Sequence, residues 1–341
     1  MAAPVLVHHP SSLRHDTGSH PERAERIVAI EEALAAEGWL GYERAESPAA
    51  GRGDLEAVHP ARHVSRIEEL AARGGGLLDP DTVVSEHSFE AARHAAGGAL
   101  LLAELLVTGA SPTGFSIHRP PGHHAEAARA MGFCLFNSVA VAARHALDRH
   151  GVERVMVLDW DVHHGNGTND IFHAGREVLF VSIHQSPLYP GTGGAGDVGE
   201  GEGRGYTVNL PVPPGAGDEA YRSLVEHVVV PLGRAYQPRL ILLSAGFDAH
   251  RDDPLADARV TEGGFAAMAA AMSRLGAETG APVGAVLEGG YDLGALSSSV
   301  VATMRALAAG PRAGADEVPL HPLAAGARRL LEPFWPELAG E

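Results

Sequence analysis

The sequence predicts an α/β protein with a mainly parallel sheet and helices on both faces. Two observations carry that reading. Short apolar runs of β type alternate with helical patterns, and the polar residues that follow those runs gather at their carboxyl ends. The strand runs are, in order, PVLVHH (4–9), GFSIH (114–118), VMVLD (155–159), VLFVSIH (178–184), LILLSAG (240–246) and VGAVLEG (283–289). Helical patterns lie near 21–36, 88–107, 137–149, 218–235, 262–278 and 294–309. The first places Pro21 and Glu22 in its opening turn, where a missing N–H does no harm and a negative charge suits the helix dipole; Gly38 is its stop. The segment GTGGAGDVGEGEGRG (191–205) reads as a surface loop. It carries acids and leads into the strand-like YTVNLPV, whereas a phosphate cradle leads into a helix N-terminus.

No internal repeat and no long linker interrupts this rhythm, so one domain over residues 1–341 is expected. The apolar share is 45%, and no run approaches the roughly 18 apolar residues of a membrane span. The opening MAAPVLVHHP lacks the pattern of a secretory signal, which makes a cytoplasmic location the expectation. The chain has no lysine, so its 26 basic residues are arginines, set against 43 acids for a formal charge of −17. That field argues against direct nucleic-acid binding and favours a cationic substrate. The oligomeric state stays open. Cys134 is the single cysteine, which excludes an internal disulfide and a multi-thiolate zinc site; it reads as a small buried apolar residue. Any metal must be held by histidines and carboxylates.

Ligands of open parallel sheets sit beyond the carboxyl ends of the strands. Here those ends carry His118, His123 and His124, Asp159 to His164, His184, Asp248, and Glu288 to Tyr291. Asp161 and His163 are two apart, so an extended segment projects them to one side, and Asp248 can complete a three-ligand set with open positions. Nitrogen and oxygen donors without thiolate suit Zn²⁺, and donor type also admits Fe²⁺, Co²⁺ or Mn²⁺. Acids that merely cap turns are the competing reading, and a D-x-H pair alone is a weak signal. In HRPPGHHA (118–125), prolines stiffen a loop that presents His123 and His124 for proton transfer. In LEGGYD (287–292), Tyr291 follows two glycines and can donate to a substrate carbonyl and its oxyanion. Taken singly, each has a bland alternative: surface histidines in one case, a turn with an incidental tyrosine in the other.

Together, RPPGHHA, GFCLFN, DWDVHHGNGT, SAGFDAHRDDPL and LEGGY resemble, in order and spacing, the zinc-dependent histone deacetylase family. The resemblance points to its class II branch and to the bacterial deacetylase-like and acetylpolyamine amidohydrolases. It spans roughly residues 5–310, leaving 311–341 as a C-terminal extension, and HDTGSHPERAERI (15–27) resembles the family's first active-site loop. It implies the arginase/deacetylase fold. It further implies that Asp161, His163 and Asp248 hold one Zn²⁺, and that water activated there attacks an amide carbonyl also polarised by Tyr291. His124, paired with Asn166, is then the general base and later acid, while His123, oriented by Asp159, assists electrostatically. Asn166 fits the class II pattern and should leave His124 less cationic than an aspartate would.

The resemblance also implies structural K⁺ sites. Asp159, Asp161, His163, Ser182 and Ile183 match the inner one, and Phe172, Val178 and Tyr206 match parts of the outer one. Phe133 and Tyr189 match the aromatic walls of a narrow acyl-lysine channel, joined by Gly132, Leu255, His20 and Pro21. Tyrosine departs from the usual phenylalanine at the second wall. Leu255 stands where a polyamine-selective branch has a glutamate, which counts against that device. The leading expectation is a deacetylase acting on acyl-lysine-like amines; an acetylpolyamine deacetylase is the alternative within enzymes. A binuclear arginase-type site is disfavoured by Trp160, Val162 and Asn166 around the D-x-H motif. A catalytically silent acyl-ligand binder would have eroded Tyr291, His124 or a ligand, and none is eroded. His164 is left as a supporting residue.

Overall fold

The computed structural model describes residues 2–311 and 317–339; Met1, 312–316 and 340–341 of the expected domain and its extension lie outside the described residues. The elements run β1 (Val5–His8), α1 (Glu25–Ala36), β2 (Glu43–Glu46), α2 (Arg52–Glu56), α3 (Ala61–Ala72), β3 (Gly75–Leu77), β4 (Val83–Ser85), α4 (Ser88–Val107), β5 (Thr113–Ser116), α5 (Ser138–His150), β6 (Val155–Asp159) and α6 (Asn166–Phe172). They continue with β7 (Val178–Gln185), β8 (Thr207–Val212), α7 (Asp218–Leu224), α8 (Val230–Tyr236), β9 (Leu240–Ala245), α9 (Glu262–Thr279), β10 (Val283–Leu287), α10 (Leu293–Ala308) and α11 (Pro322–Leu331). Eight strands form one sheet in the order β2-β1-β5-β10-β9-β6-β7-β8, and each neighbouring pair is parallel; β3 and β4 form a separate antiparallel hairpin. Among the described residues, no helix is long and apolar enough to cross a membrane.

Alternate strand residues feed two cores. Leu6, Phe115, Leu158, Val181, Leu243 and Ala285 pack with α1 and α7–α10, whereas Val7, Val157, Phe180, Leu242 and Val286 pack with α4 and α5. Burial on both faces explains why the strands read as continuous apolar runs. The register sets Asp159, the last residue of β6, opposite Ser182 of β7 and Ser244 of β9; β9 ends one residue further on, and β7 runs on to Gln185. Asn137, Thr261 and Asp292 cap the helices that follow, accepting from the N–H groups of Ala140, Gly264 and Ala295.

Two expectations need correction, and one element is new. The first helix starts at Glu25 and not near 21, because the Glu22 carboxylate is drawn into the interior by Arg119 and Arg26, and Pro21 and Glu22 form the preceding turn. Gly38 does follow the helix in the left-handed region, at φ 60°. A short helix that the helical patterns did not include, α6, begins at Asn166. The helical pattern of 218–235 contains a π turn at Val225–Val229. Pro231, which lacks an N–H and crowds the carbonyl four residues back, accounts for the widening.

Candidate active site

The loop after β6 does not stay extended. Bends over 161–163 bring the Asp161 and His163 side chains together, with the His163 backbone N–H on Asp161 Oδ1 at 2.9 Å. His163 Nδ1 lies 3.1 Å from Asp161 Oδ1 and 3.1 Å from Asp248 Oδ2. All three side chains are buried, and their ligand atoms lie within 4.8 Å of one another. Backbone N–H groups fix the carboxylates: Val162 donates to Asp248 Oδ1 at 2.9 Å, and Gly289 to Asp161 Oδ2 at 2.8 Å. Gly289 is required there, since a Cβ would strike both carboxylates. Burial opposes charge on each acid. At Asp161 the neighbouring His123 and His163 outweigh it, whereas at Asp248 Asp161 adds to it. Two buried carboxylates whose ion-pair partners are histidines make a donor set that a divalent cation fits.

The histidine pair is differentiated by its partners. His123 Nδ1 meets Asp159 Oδ2 at 2.9 Å; burial opposes its charge, but Asp161 and Asp159 raise it well above the ordinary value. His124 Nδ1 meets Asn166 Oδ1 at 2.8 Å and is pushed well below the ordinary value by burial, then by His123 and His163. Two neighbouring imidazoles displaced in opposite directions suit distinct roles, one cationic and one basic. The sequence reading missed a further partner: Asn166 Nδ2 donates to Glu126 Oε1 at 2.9 Å. A carboxylate only accepts, so Glu126 turns the amide oxygen toward His124, which then carries its proton on Nδ1 and leaves the Nε2 lone pair free.

Tyr291 is buried, and burial raises its phenol, keeping it a donor. Asp253 Oδ2 accepts from the Tyr291 N–H at 2.6 Å, and the Arg26 guanidinium lies 5.0 Å from the ring centroid. Arg26 also donates to the carbonyls of Gly290, at 2.7 Å, and Glu288. Behind the histidines, Glu288 accepts from the N–H groups of Gly122 and His123 at 2.6 and 3.0 Å. Asp253, Arg26 and Glu288 lie inside the recognised motifs, but only contact geometry reveals what they hold.

Phe133 and Tyr189, the expected aromatic walls, stand beside these groups. Phe133 is edge-on to Tyr291 at 5.8 Å and to His20 at 4.5 Å; Tyr189 is edge-on to His124 at 5.2 Å and to His163 at 6.3 Å. Gly132, at φ 55°, has no room for a Cβ, which would meet His124 and Tyr189. The Phe133 N–H donates to Thr82 Oγ1 at 3.2 Å, so the β3–β4 connection supports that wall. Pro21 adjoins His20 in the first loop, and Leu255 is half-buried with its N–H on Asp253 Oδ1. Asp159 and Ser182 are register partners, and Ile183 continues β7. Phe172, Val178 and Tyr206 gather around the start of β7, where the Tyr206 carbonyl accepts from Phe180.

Not every polar residue at the strand ends joins this site. His118 bonds Ser116 and Ser47, and His184 bonds Ser182 and the Gly193 carbonyl, so both brace loops. His164 Nδ1 meets Thr192 Oγ1 at 2.7 Å, tethering the glycine-rich loop beyond Tyr189. Cys134 is buried, its thiol pushed up by that burial.

Comparison with known proteins identifies the family. The histone deacetylase domain profile matches residues 20–307. A probable deacetylase of Methanothermobacter thermautotrophicus is 45% identical over 306 residues, covering 89% of this chain and 90% of that protein. A histone deacetylase-like amidohydrolase of Pseudomonas aeruginosa is 44% identical over 248 residues, 72% of this chain and 65% of that one. The crystal structure of the HDA15 HD domain superposes with a TM-score of 0.92 at 36% identity, covering 99% of this chain and 96% of that one. The chain belongs to the histone deacetylase domain family.

Proposed function

We propose that this protein is a zinc-dependent amidohydrolase that removes acetyl or related acyl groups from lysine-like amines. The observation that carries the reading is the buried Asp161–His163–Asp248 trio with His124, its Nδ1 on Asn166, at its side. Zn²⁺ held by the trio supplies Lewis acidity toward the amide carbonyl and makes water more acidic. His124 Nε2 takes the proton from the attacking water and returns it to the leaving amine, while Asn166 and Glu126 hold the ring. His123, tied to Asp159, contributes positive charge beside the developing oxyanion, and the Tyr291 hydroxyl donates to it. Phe133 and Tyr189 enclose the aliphatic stem. In this reading K⁺ binds near Asp159, Asp161, His163, Ser182 and Ile183, and a second ion near Phe172, Val178 and Tyr206. The enzyme acts in the cytoplasm.

The zinc-loaded protein is expected to release fluorophore from acetyl- or trifluoroacetyl-lysine substrates, and a panel with acetylputrescine, acetylcadaverine and acetylspermidine ranks the amines. Faster turnover of the acetylpolyamines would replace lysine as the substrate, and no release at full metal occupancy would leave an acyl-ligand binder. Asn166→Asp adds a carboxylate beside His124, favours the protonated ring and so raises the pKa of the base. The acidic limb of kcat/KM should therefore move to higher pH. An unmoved limb would take His124 out of the base role.

A further inference from the structure

At the opposite end of the sheet, where β5 and β6 begin, the last turns of α4 and α5 bring Glu104, His145 and His150 together. The two rings have centroids 5.1 Å apart, and their Nε2 atoms are separated by 3.3 Å. Zn–N bonds of about 2.0–2.1 Å at a tetrahedral angle span about 3.3–3.4 Å between nitrogens. One ion can therefore take both lone pairs without moving either ring far. A Glu104 carboxylate oxygen completes a set whose ligand atoms lie within 4.8 Å of one another.

Two further features favour a cation. His145 Nδ1 faces Asp54 Oδ1 at 4.0 Å, the side on which a carboxylate orients a metal-bound imidazole and leaves Nε2 to the metal. His150 lies in the final turn of α5, whose free carbonyls carry the negative end of the helix dipole. Both histidines are half-buried and Glu104 is exposed, which leaves a coordination position open to water. The scaffold is firm, because α4 and α5 pack through Ala99, Ala103, Val139, Ala142 and Ala146.

We propose that Glu104, His145 and His150 form a second divalent-cation site, of the Zn²⁺ class, which clamps the end of α5 to α4. It shares no residue with the Asp161 trio and is independent of the proposed activity. The test is calorimetric titration of Zn²⁺ into protein already carrying one equivalent of zinc. One further binding event is expected, weakened about tenfold by Asp54→Asn and about 100-fold by His150→Ala or Glu104→Gln. Turnover at one equivalent should be unchanged in these variants, and added Zn²⁺ should raise the Tm of the parent but not of His150→Ala. The proposal is overturned if the parent takes up no second ion, or if His150→Ala binds it as tightly as the parent.

Discussion

Tyr291→Phe is expected to lower kcat by about 10²–10³-fold, the usual cost of losing one donor to a developing oxyanion. The substitution removes the hydroxyl and little else. The ring keeps the Arg26 guanidinium at 5.0 Å and Phe133 at 5.8 Å, and the backbone keeps its 2.6 Å bond to Asp253. KM for a fluorogenic acyl-lysine substrate should change far less than kcat, because the donor acts mainly on charge that appears after binding. Metal content, read by atomic absorption, should match that of the parent. Equal turnover at equal metal content would remove Tyr291 from the chemistry.

The second large effect is on stability. Arg119 is fully buried and grips Glu22, itself 0% exposed, through Nε and through Nη2 at 2.8 Å; its Nη1 donates to the Ser12 and His15 carbonyls. Arg119→Met should cost about 3–5 kcal/mol in urea unfolding, because it leaves Glu22 charged and short of its main partner. Pairing it with Glu22→Gln should recover part of that loss, as removing both partners of a buried pair is milder than removing one. A double variant no more stable than the single one would show that the guanidinium works by packing instead. The same pair sets the acid response. Burial opposes the Glu22 charge, but Arg119 pulls the folded pKa down to about 2. The unfolded chain therefore binds the proton first, and the stabilisation present above about pH 4.5 is lost as pH falls toward 2. His15, held down to about 4 by burial, adds loss in the same direction from its unfolded value near 6.5 downward.

The strands buried on both faces announced themselves as apolar runs, and the helices between them showed the matching period. What escaped notice depends on contacts distant in sequence. β2 reads ERAE, with no apolar signal, and is a strand because its backbone pairs with β1. α2 and α3 pack under the β3–β4 hairpin in a small third core that no single stretch reveals. The proposed ligands and the proposed catalytic pair stand in compact motifs that suggest them directly. Their supports could not: Glu126 reaches Asn166 across 40 positions, and Arg26 reaches Gly290 across 264. The two-residue spacing of Asp161 and His163 suggested an extended backbone that projects both to one side, whereas a bend brings them together.

The sheet's outer strands bear on how copies of the chain can associate. β2 offers Glu43, Arg44 and Glu46 along its short length, and β8 carries Pro211, which lacks the N–H that a ninth strand would need there. Neither border is a good template for lateral growth. Both borders therefore disfavour strand-to-strand joining of two copies, a bias that would keep each sheet at eight strands.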